Sequence, residues 1–355
     1  MRVAVYTIAL NEEQFVERWA SSAVEADVLL IADTGSSDRT VNIAHELGVD
    51  VIDVRIRPWR FDDARNAALA ALPLDLDYCI ALDMDEVLLP GWREALETAH
   101  ENNWTRPRYQ YTWNWNADGT PGLVYGGDKI HARTGYRWRH PVHEVLRRYG
   151  DTPETQGWVD IEIYHFADDT KSRGQYMPLL KQAVDEDPDD DRNAFYYARE
   201  LYYYGQNDEA VEQFMRHLSL PRATWAPERA ASMRFIAKCR PNEAEFWLRA
   251  AIREAPGRRE PYVDLCKLYY TRGNWRDLLQ AAEAALAITE RPLEYLCEAY
   301  SWGAAPWDFA AIAAYRLSMF KKALEYGERA AELEPHNERI AQNLVFYREA
   351  RGEIS

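Results

Sequence analysis

Along residues 1–90, short apolar runs alternate with stretches of helical spacing. Val3–Leu10 and Val28–Ala32 are apolar runs of strand length, and Val49–Val54 and Tyr78–Leu82 read as a third and a fourth strand. Between them, Glu12–Ala26 spaces Phe15, Trp19, Ala23 and Val24 as a helix does. Thr40–Leu47 reads as a helix closed by Gly48, and Asp62–Leu72 is alanine-rich and helical. Strands interleaved with helices in this way predict an α/β fold, a mostly parallel sheet with right-handed crossovers. Ligands of such sheets sit outside the carboxyl ends of the strands. Two acidic clusters fall there: Asp33 behind the second run, and Asp83-Met84-Asp85-Glu86 behind the fourth. Each also has a structural reading, with Asp33 or Ser36 capping a turn and Asp85 or Glu86 starting a helix at Pro90.

Residues 104–166 are rich in tryptophan, tyrosine, arginine and glycine, which reads as strands and exposed loops. From Lys171 onward, past an acidic link at residues 185–191, the pattern is helical and it repeats. Ala210 and Phe214, Ala244 and Leu248, and Leu278 and Ala282 recur with a period of about 34 residues. Tyr197, Ala231 and Leu265, then Leu201, Phe235 and Tyr269, keep the same register. A last unit with Trp307, Ala311, Phe320, Ala323, Ala330 and Pro335 is displaced further, by the length of an insertion, Leu293–Gly303. Helix pairs of this period with small residues at the contacts resemble tetratricopeptide repeats. Stacked repeats either bind a partner protein or buttress the first domain. The expected domains are therefore 1–170, α/β, and 171–355, an all-α tetratricopeptide-like domain.

With 42 Lys+Arg against 58 Asp+Glu the formal charge is −16, which argues against a general nucleic-acid or anionic-membrane binder. The charge is uneven. Residues 1–171 carry a net −12, yet Arg133, Arg137, Arg139, Arg147 and Arg148 face the single acid Glu144 within residues 130–149. A positive strip inside an acidic domain calls for an anion nearby. Cys79, Cys239, Cys266 and Cys297 have no metal-ligand spacing and sit among apolar neighbours, so buried reduced thiols and a cytoplasmic setting are expected. The N-terminus lacks the apolar core and cleavage site of a signal peptide, and no run reaches the ~18 apolar residues of a membrane span.

In an extended segment Asp83 and Asp85 would point the same way and face one cation. A hard ion such as Mg²⁺ or Mn²⁺ suits carboxylates shared with a substrate diphosphate, whose leaving charge it would neutralise. Arg133 and its neighbours in the strip are candidates to share that task on the diphosphate. Four segments in order extend the pattern: Asn11-Glu12-Glu13, residues 33–40 (Asp-Thr-Gly-Ser-Ser-Asp-Arg-Thr), residues 62–69 (Asp-Asp-Ala-Arg-Asn-Ala-Ala-Leu), and Ala81-Leu82-Asp83-Met84-Asp85-Glu86. Together they make the segment 1–170 resemble a family-two glycosyltransferase of the GT-A fold.

That resemblance implies roles for particular residues. Asp33 matches the acid that hydrogen-bonds the nucleotide base, Arg65 the basic residue near the nucleoside, and Leu10 and Asn11 a loop that touches the nucleoside through its backbone. Asp83 matches the residue near ribose and metal, Asp85 the direct metal ligand, and His165 the histidine that completes the metal site; a packed strand-end histidine is the other reading. The family favours UDP-sugars and inverts at the anomeric carbon, which requires one base for the acceptor hydroxyl. Glu144 is the first choice and His143 the second, while Glu144 also reads as an arginine partner. The acceptor implied is a protein or glycan, since relatives with such helical tails act on peptides or surface glycans; a hydroxylated nucleobase in DNA is the alternative.

Two other classes compete with this reading. Residues 80–88 also resemble the nucleophile strand of haloacid-dehalogenase-type phosphatases, but three strands precede them and no Gly-Asp-x-x-x-Asp motif follows. A non-catalytic repeat scaffold is the third class, and the intact Asp83/Asp85 pair counts against it. His140, His143 and Glu144 stand in the wrong order for a zinc hydrolase helix, which Pro141 would break.

Overall fold

The computed structural model describes residues 1–116, 118–168 and 174–352. They form two compact units, Met1–Ala183 and Val184–Ser355. The boundary expected between residues 170 and 171 lies outside the described residues.

In chain order the first unit opens with β1 (Val3–Ala9), α1 (Val16–Ser22), β2 (Val28–Asp33), α2 (Thr40–Glu46), β3 (Asp50–Asp53), α3 (Phe61–Ala71) and β4 (Tyr78–Ala81). It continues with β5 (Glu86–Leu88), α4 (Trp92–Glu101), β6 (Arg108–Thr112), β7 (Val124–Gly127), β8 (Ile130–Ala132), β9 (Tyr136–Arg139), β10 (Val145–Arg148) and β11 (Trp158–His165). α5 (Tyr176–Glu186) follows and runs across the division. The main sheet has the order β3-β2-β1-β4-β8, parallel except for β8. Val3, Val5 and Ala9 turn to one face with Trp19, Ile31 and Ile80, while Ala4 and Tyr6 turn to the other with Ala64, Ala68 and Trp138. Because both faces are covered, β1 is a continuous apolar run rather than an alternating one.

The helical run expected over Glu12–Ala26 contracts to α1. Its first residues are spent on a loop: Glu12 N–H donates to Thr40 Oγ1 at 2.7 Å, Glu13 N–H to Asp38 at 3.1 Å, and Arg39 N–H to Glu13 Oε2 at 2.9 Å. Asp85 and Glu86 do not start a helix. Glu86 opens β5, and α4 begins only at Trp92, behind Gly91 at φ 91°. The described residues of 104–166 are strands and loops as expected: β6, β7 and β11 join β5 in a second sheet of order β5-β11-β6-β7, β8 edges the main sheet, and β9–β10 form a hairpin.

In the second unit the acidic link contributes a cap. Asp190 accepts from Asn193 N–H at 2.8 Å and starts α6 (Asp191–Tyr203). Helices then follow in pairs: α7 (Asn207–Ser219), α8 (Ala226–Cys239), α9 (Ala244–Glu254), α10 (Arg259–Arg272) and α11 (Trp275–Leu286). A short α12 (Ala299–Trp302) precedes α13 (Ala305–Arg316), α14 (Phe320–Leu333) and α15 (Glu338–Arg351). The repeat positions Ala210, Phe214, Ala244, Leu248, Leu278 and Ala282 fall on α7, α9 and α11, and all are buried. The four cysteines are buried thiols. Among the described residues no helix is long and apolar enough to cross a membrane.

Candidate active site

The carboxyl ends of β1, β2 and β4 meet at one edge of the main sheet, since Ala9 pairs with Asp33 and Tyr6 with Ala81. Asn11, just past β1, takes φ 56°, a left-handed conformation that asparagine tolerates. Its N–H donates to Ser36 Oγ at 2.9 Å and its Oδ1 accepts from Ser37 N–H at 2.7 Å, which clips the β1 loop to the β2 loop. Leu10 beside it is exposed. Asp33 is buried and accepts from Gly35 N–H at 3.0 Å and Ser36 N–H at 3.1 Å. The turn-capping reading of Asp33 is thus realised, at the same edge as the other candidates.

Past β4 the chain turns at once, with Glu86 N–H donating to Asp83 C=O at 2.9 Å. The segment is not extended, so the alternation expected to aim Asp83 and Asp85 at one point does not apply, and the two carboxylates find different partners. Asp83 accepts from Arg65 Nη2 at 2.6 Å and Lys129 Nζ at 2.5 Å. Burial alone would raise its pKa, but these two cations hold the carboxyl well below the usual range. Asp85 instead lies 3.3 Å from His165 Nε2. Pairing of β11 with β5, which sets His165 opposite Glu86, brings the histidine there. Burial works against a charge on His165, yet the Asp85 hydrogen bond and charge leave its pKa raised. Its Nδ1 lies 2.8 Å from Trp113 C=O, and the Trp113 ring stacks on it at 4.4 Å. Among the described residues no three or more His, Cys, Asp or Glu side chains are gathered as a metal cage.

Arg65 on α3 links the acids. Besides Asp83 it bonds through Nε to Glu144 Oε1, and its guanidinium lies 5.0 Å from the centre of the Trp138 ring. Burial opposes its charge and the two carboxylates more than restore it. Arg65 is only 5% exposed, and its Nη1 has no hydrogen-bond partner among the described residues. Glu144 is thus an arginine partner in this arrangement. The turn that carries Glu144 and His143 joins β9 to β10 and is pinned to α3, as Phe61 N–H donates to Pro141 C=O at 3.0 Å. The His143 ring meets Tyr176 edge-on at 5.6 Å.

Arg133 is not part of this cluster. It donates to the carbonyls of Leu72 at 2.7 Å and Pro73 at 2.8 Å, and its N–H donates to Asp77 C=O, at the opposite, amino end of β4. Lying between β8 and β9, it packs inward and leaves the outward face of the hairpin to Arg137, Arg139 and Arg147.

Glu86, which the sequence placed in the acidic cluster without a role of its own at the site, and Lys129, to which it gave none, complete the site. Glu86 is 1% exposed and accepts from Asp83 N–H at 2.8 Å, Tyr111 Oη at 2.7 Å and Lys129 Nζ at 2.9 Å. Burial chiefly raises its pKa. Lys129 bridges Glu86 to Asp83, and burial, which would lower its pKa, is outweighed by these two acids. One signal was available: no other lysine precedes Lys171 in the chain.

Residues 4–140 match the sequence profile of glycosyl transferase family 2. A TPR repeat-containing protein of Synechococcus elongatus is 35% identical over 97 residues, or 26% of this chain and 23% of that protein. The chain thus aligns with about a quarter of that relative's length. Among solved structures, a glucosyl-3-phosphoglycerate synthase from Mycobacterium tuberculosis, in complex with Mn²⁺, UDP and glucosyl-3-phosphoglycerate, is 26% identical with a TM-score of 0.27. That match covers 31% of this chain and 44% of the synthase. The C-terminal part of a TPR repeat-containing protein from Cytophaga hutchinsonii is 15% identical with a TM-score of 0.41, covering 50% of this chain and 66% of that one. The sheet edge that carries Asp33, Asp83 and Asp85 thus lies within the segment that matches glycosyl transferase family 2, and a helical, tetratricopeptide-like second unit follows it.

Proposed function

We propose that the chain moves a sugar from a nucleotide-sugar, specifically a UDP-sugar, to a hydroxyl group of a protein or glycan, with inversion and with help from Mn²⁺ or Mg²⁺. One observation carries the reading. The Asp85–His165 pair and the Asp83–Arg65–Glu144 bridge stand at the sheet edge that also holds Asp33 and Asn11.

Asp85 and His165 fit a divalent ion. A carboxylate oxygen and an imidazole nitrogen face one another, and with Nδ1 donating to Trp113 C=O, an ion that displaced the Nε2 proton shared with Asp85 would meet that nitrogen's lone pair. Asp83 fits less well as a third ligand, because Arg65 and Lys129 already occupy its oxygens; contact with the donor suits it better. A bound ion would supply neutralisation of the charge that develops on the leaving diphosphate.

The chain's own residues would do the rest. Asn11 and Leu10 present a fixed loop to the nucleoside, and Asp33 retains acceptor capacity for a base N–H beyond the two backbone bonds it makes. Arg65 Nη1, buried and unpartnered among the described residues, offers an N–H to a donor oxygen. Glu144, held through Oε1 by Arg65, would take the acceptor proton on Oε2 as that hydroxyl attacks the anomeric carbon from the face opposite the diphosphate, with His143 as second candidate. The test is incubation of the protein with a panel of nucleotide-sugars, with Mn²⁺ or with chelator, followed by assay of nucleotide release and mass spectrometry of candidate acceptors. Release of UDP only with the ion is expected. No release from any donor, or phosphate release from simple phosphomonoesters, would overturn the proposal.

A further inference from the structure

His165 is held by alternate aromatic residues of β6 and its continuation, Tyr111, Trp113 and Trp115. Thr112 and Tyr164 are the last pair of the parallel ladder between β6 and β11. One residue further on, the Trp113 carbonyl is taken by the imidazole instead, through His165 Nδ1 at 2.8 Å. The Trp113 indole lies over the same imidazole, 4.4 Å between ring centres and 17° from parallel. The Tyr111 ring stands at 6.3 Å and 29° from it. Trp115 Nε1 donates to the His165 carbonyl at 3.1 Å, which fixes the backbone that carries the ring. Nε2 is left as the nitrogen that faces Asp85, at 3.3 Å.

Trp113 is 38% exposed, whereas Trp19, Trp92 and Trp138 are each at most 2% exposed and fill the core. An indole left this open adds little to the core, and its shortest ring contact among the described residues is with His165. A flat indole against an imidazole restricts rotation of that ring, and its negative face stabilises positive charge drawn onto the ring. Partners that orient a liganding histidine change metal affinity by about 10–100-fold. We propose that Trp113 is a positioning residue: its indole holds the His165 imidazole in the plane that presents Nε2, together with Asp85, to a divalent cation. The Trp113 carbonyl sets which nitrogen is offered, and the Trp113 ring sets its direction. The inference rests on the proposed ion-dependent transfer and assigns it a residue outside the ligand set.

The test measures Mn²⁺ bound to the full chain in saturating UDP, read from the electron paramagnetic resonance signal of the free ion. Trp113→Ala keeps the carbonyl and removes the ring, and its Mn²⁺ affinity is expected to fall about tenfold or more. Trp113→Phe, which keeps a flat face, should stay within about threefold of the parent. Trp113→Leu fills the space without a flat face and should match the alanine variant, so a packing defect in the latter does not decide the result. In nucleotide-release assays Trp113→Ala should raise the half-saturating Mn²⁺ concentration about tenfold and leave the rate at saturating Mn²⁺ within about threefold of the parent, a split that general loss of site structure would not give. Parental Mn²⁺ affinity in Trp113→Ala, or equal loss in the alanine and phenylalanine variants, beside a clear loss in His165→Ala, would overturn this inference alone. Equal affinity in the parent and His165→Ala would take the ion away from the pair and overturn the inference together with the ion-dependent reading beneath it.

Discussion

Lys129 Nζ stands 2.5 Å from Asp83 Oδ2 and 2.9 Å from Glu86 Oε1, one ammonium shared by two acids from the same turn. With Arg65 on the other oxygen of Asp83, it makes a chain of alternating charges, Glu144–Arg65–Asp83–Lys129–Glu86, along the edge of the sheet. Such a chain holds its members in place because removing one leaves its neighbours uncompensated.

Lys129→Met should therefore destabilise the first unit by about 2–4 kcal/mol in urea unfolding, since Glu86 would stay buried without its cation. Adding Glu86→Gln should recover part of that loss. An additive double mutant would mean that the two groups do not act together.

Asp85→Asn and His165→Ala are expected to behave differently. Their pair lies at the end of the site, so each should change the melting temperature by no more than a few degrees while lowering sugar transfer at least a hundredfold at fixed Mn²⁺. A variant that retains parental activity would remove that pair from the catalytic account.

Acid should weaken the first unit through His131. This ring is fully buried and hydrogen-bonded to Tyr6 Oη at 3.1 Å, and burial chiefly lowers its pKa to about 4. The unfolded chain binds that proton near pH 6.5, so between those values the unfolded state holds more protons. The stability contribution is complete above about pH 6.5 and is lost as pH falls toward 4, roughly 3 kcal/mol in all. Unfolding of the parent and of His131→Asn, followed from pH 7.5 to pH 4.5, should show the shallower dependence in the variant.

Gly127→Ala tests the support beneath Lys129. A Cβ there would strike the ring of Tyr109, its partner across β6 and β7, and Tyr109 Oη accepts the Lys129 N–H. A rigid ring cannot swing away, so a loss of about 1–3 kcal/mol is expected in thermal or urea unfolding.

The order of strands and helices along residues 1–90 was legible because both faces of the sheet are covered at its centre, which makes β1, β2 and β4 nearly continuous apolar runs. The placement of Asp33, Asp83 and Asp85 at strand ends followed from that order. What the one-dimensional pattern missed were relationships made by pairing and turning. The turn after β4 separates Asp83 from Asp85. Strand β11 returns beside β5 to set His165 against Asp85, and the edge strand β8 delivers Lys129. Arg133 was misjudged because a run of arginines does not reveal which side chain turns inward, and the break in the helical period gave no hint that Leu293–Gly303 would lie back across earlier repeats.

The most direct test of the central claim is calorimetric titration of UDP into the full chain with and without Mn²⁺, for the parent and for Asp85→Asn. The account expects binding that needs the ion, weakens at least tenfold in the variant, and leaves the melting temperature of the unliganded variant near that of the parent. UDP binding indifferent both to the ion and to Asp85, in a protein that folds normally, would contradict it.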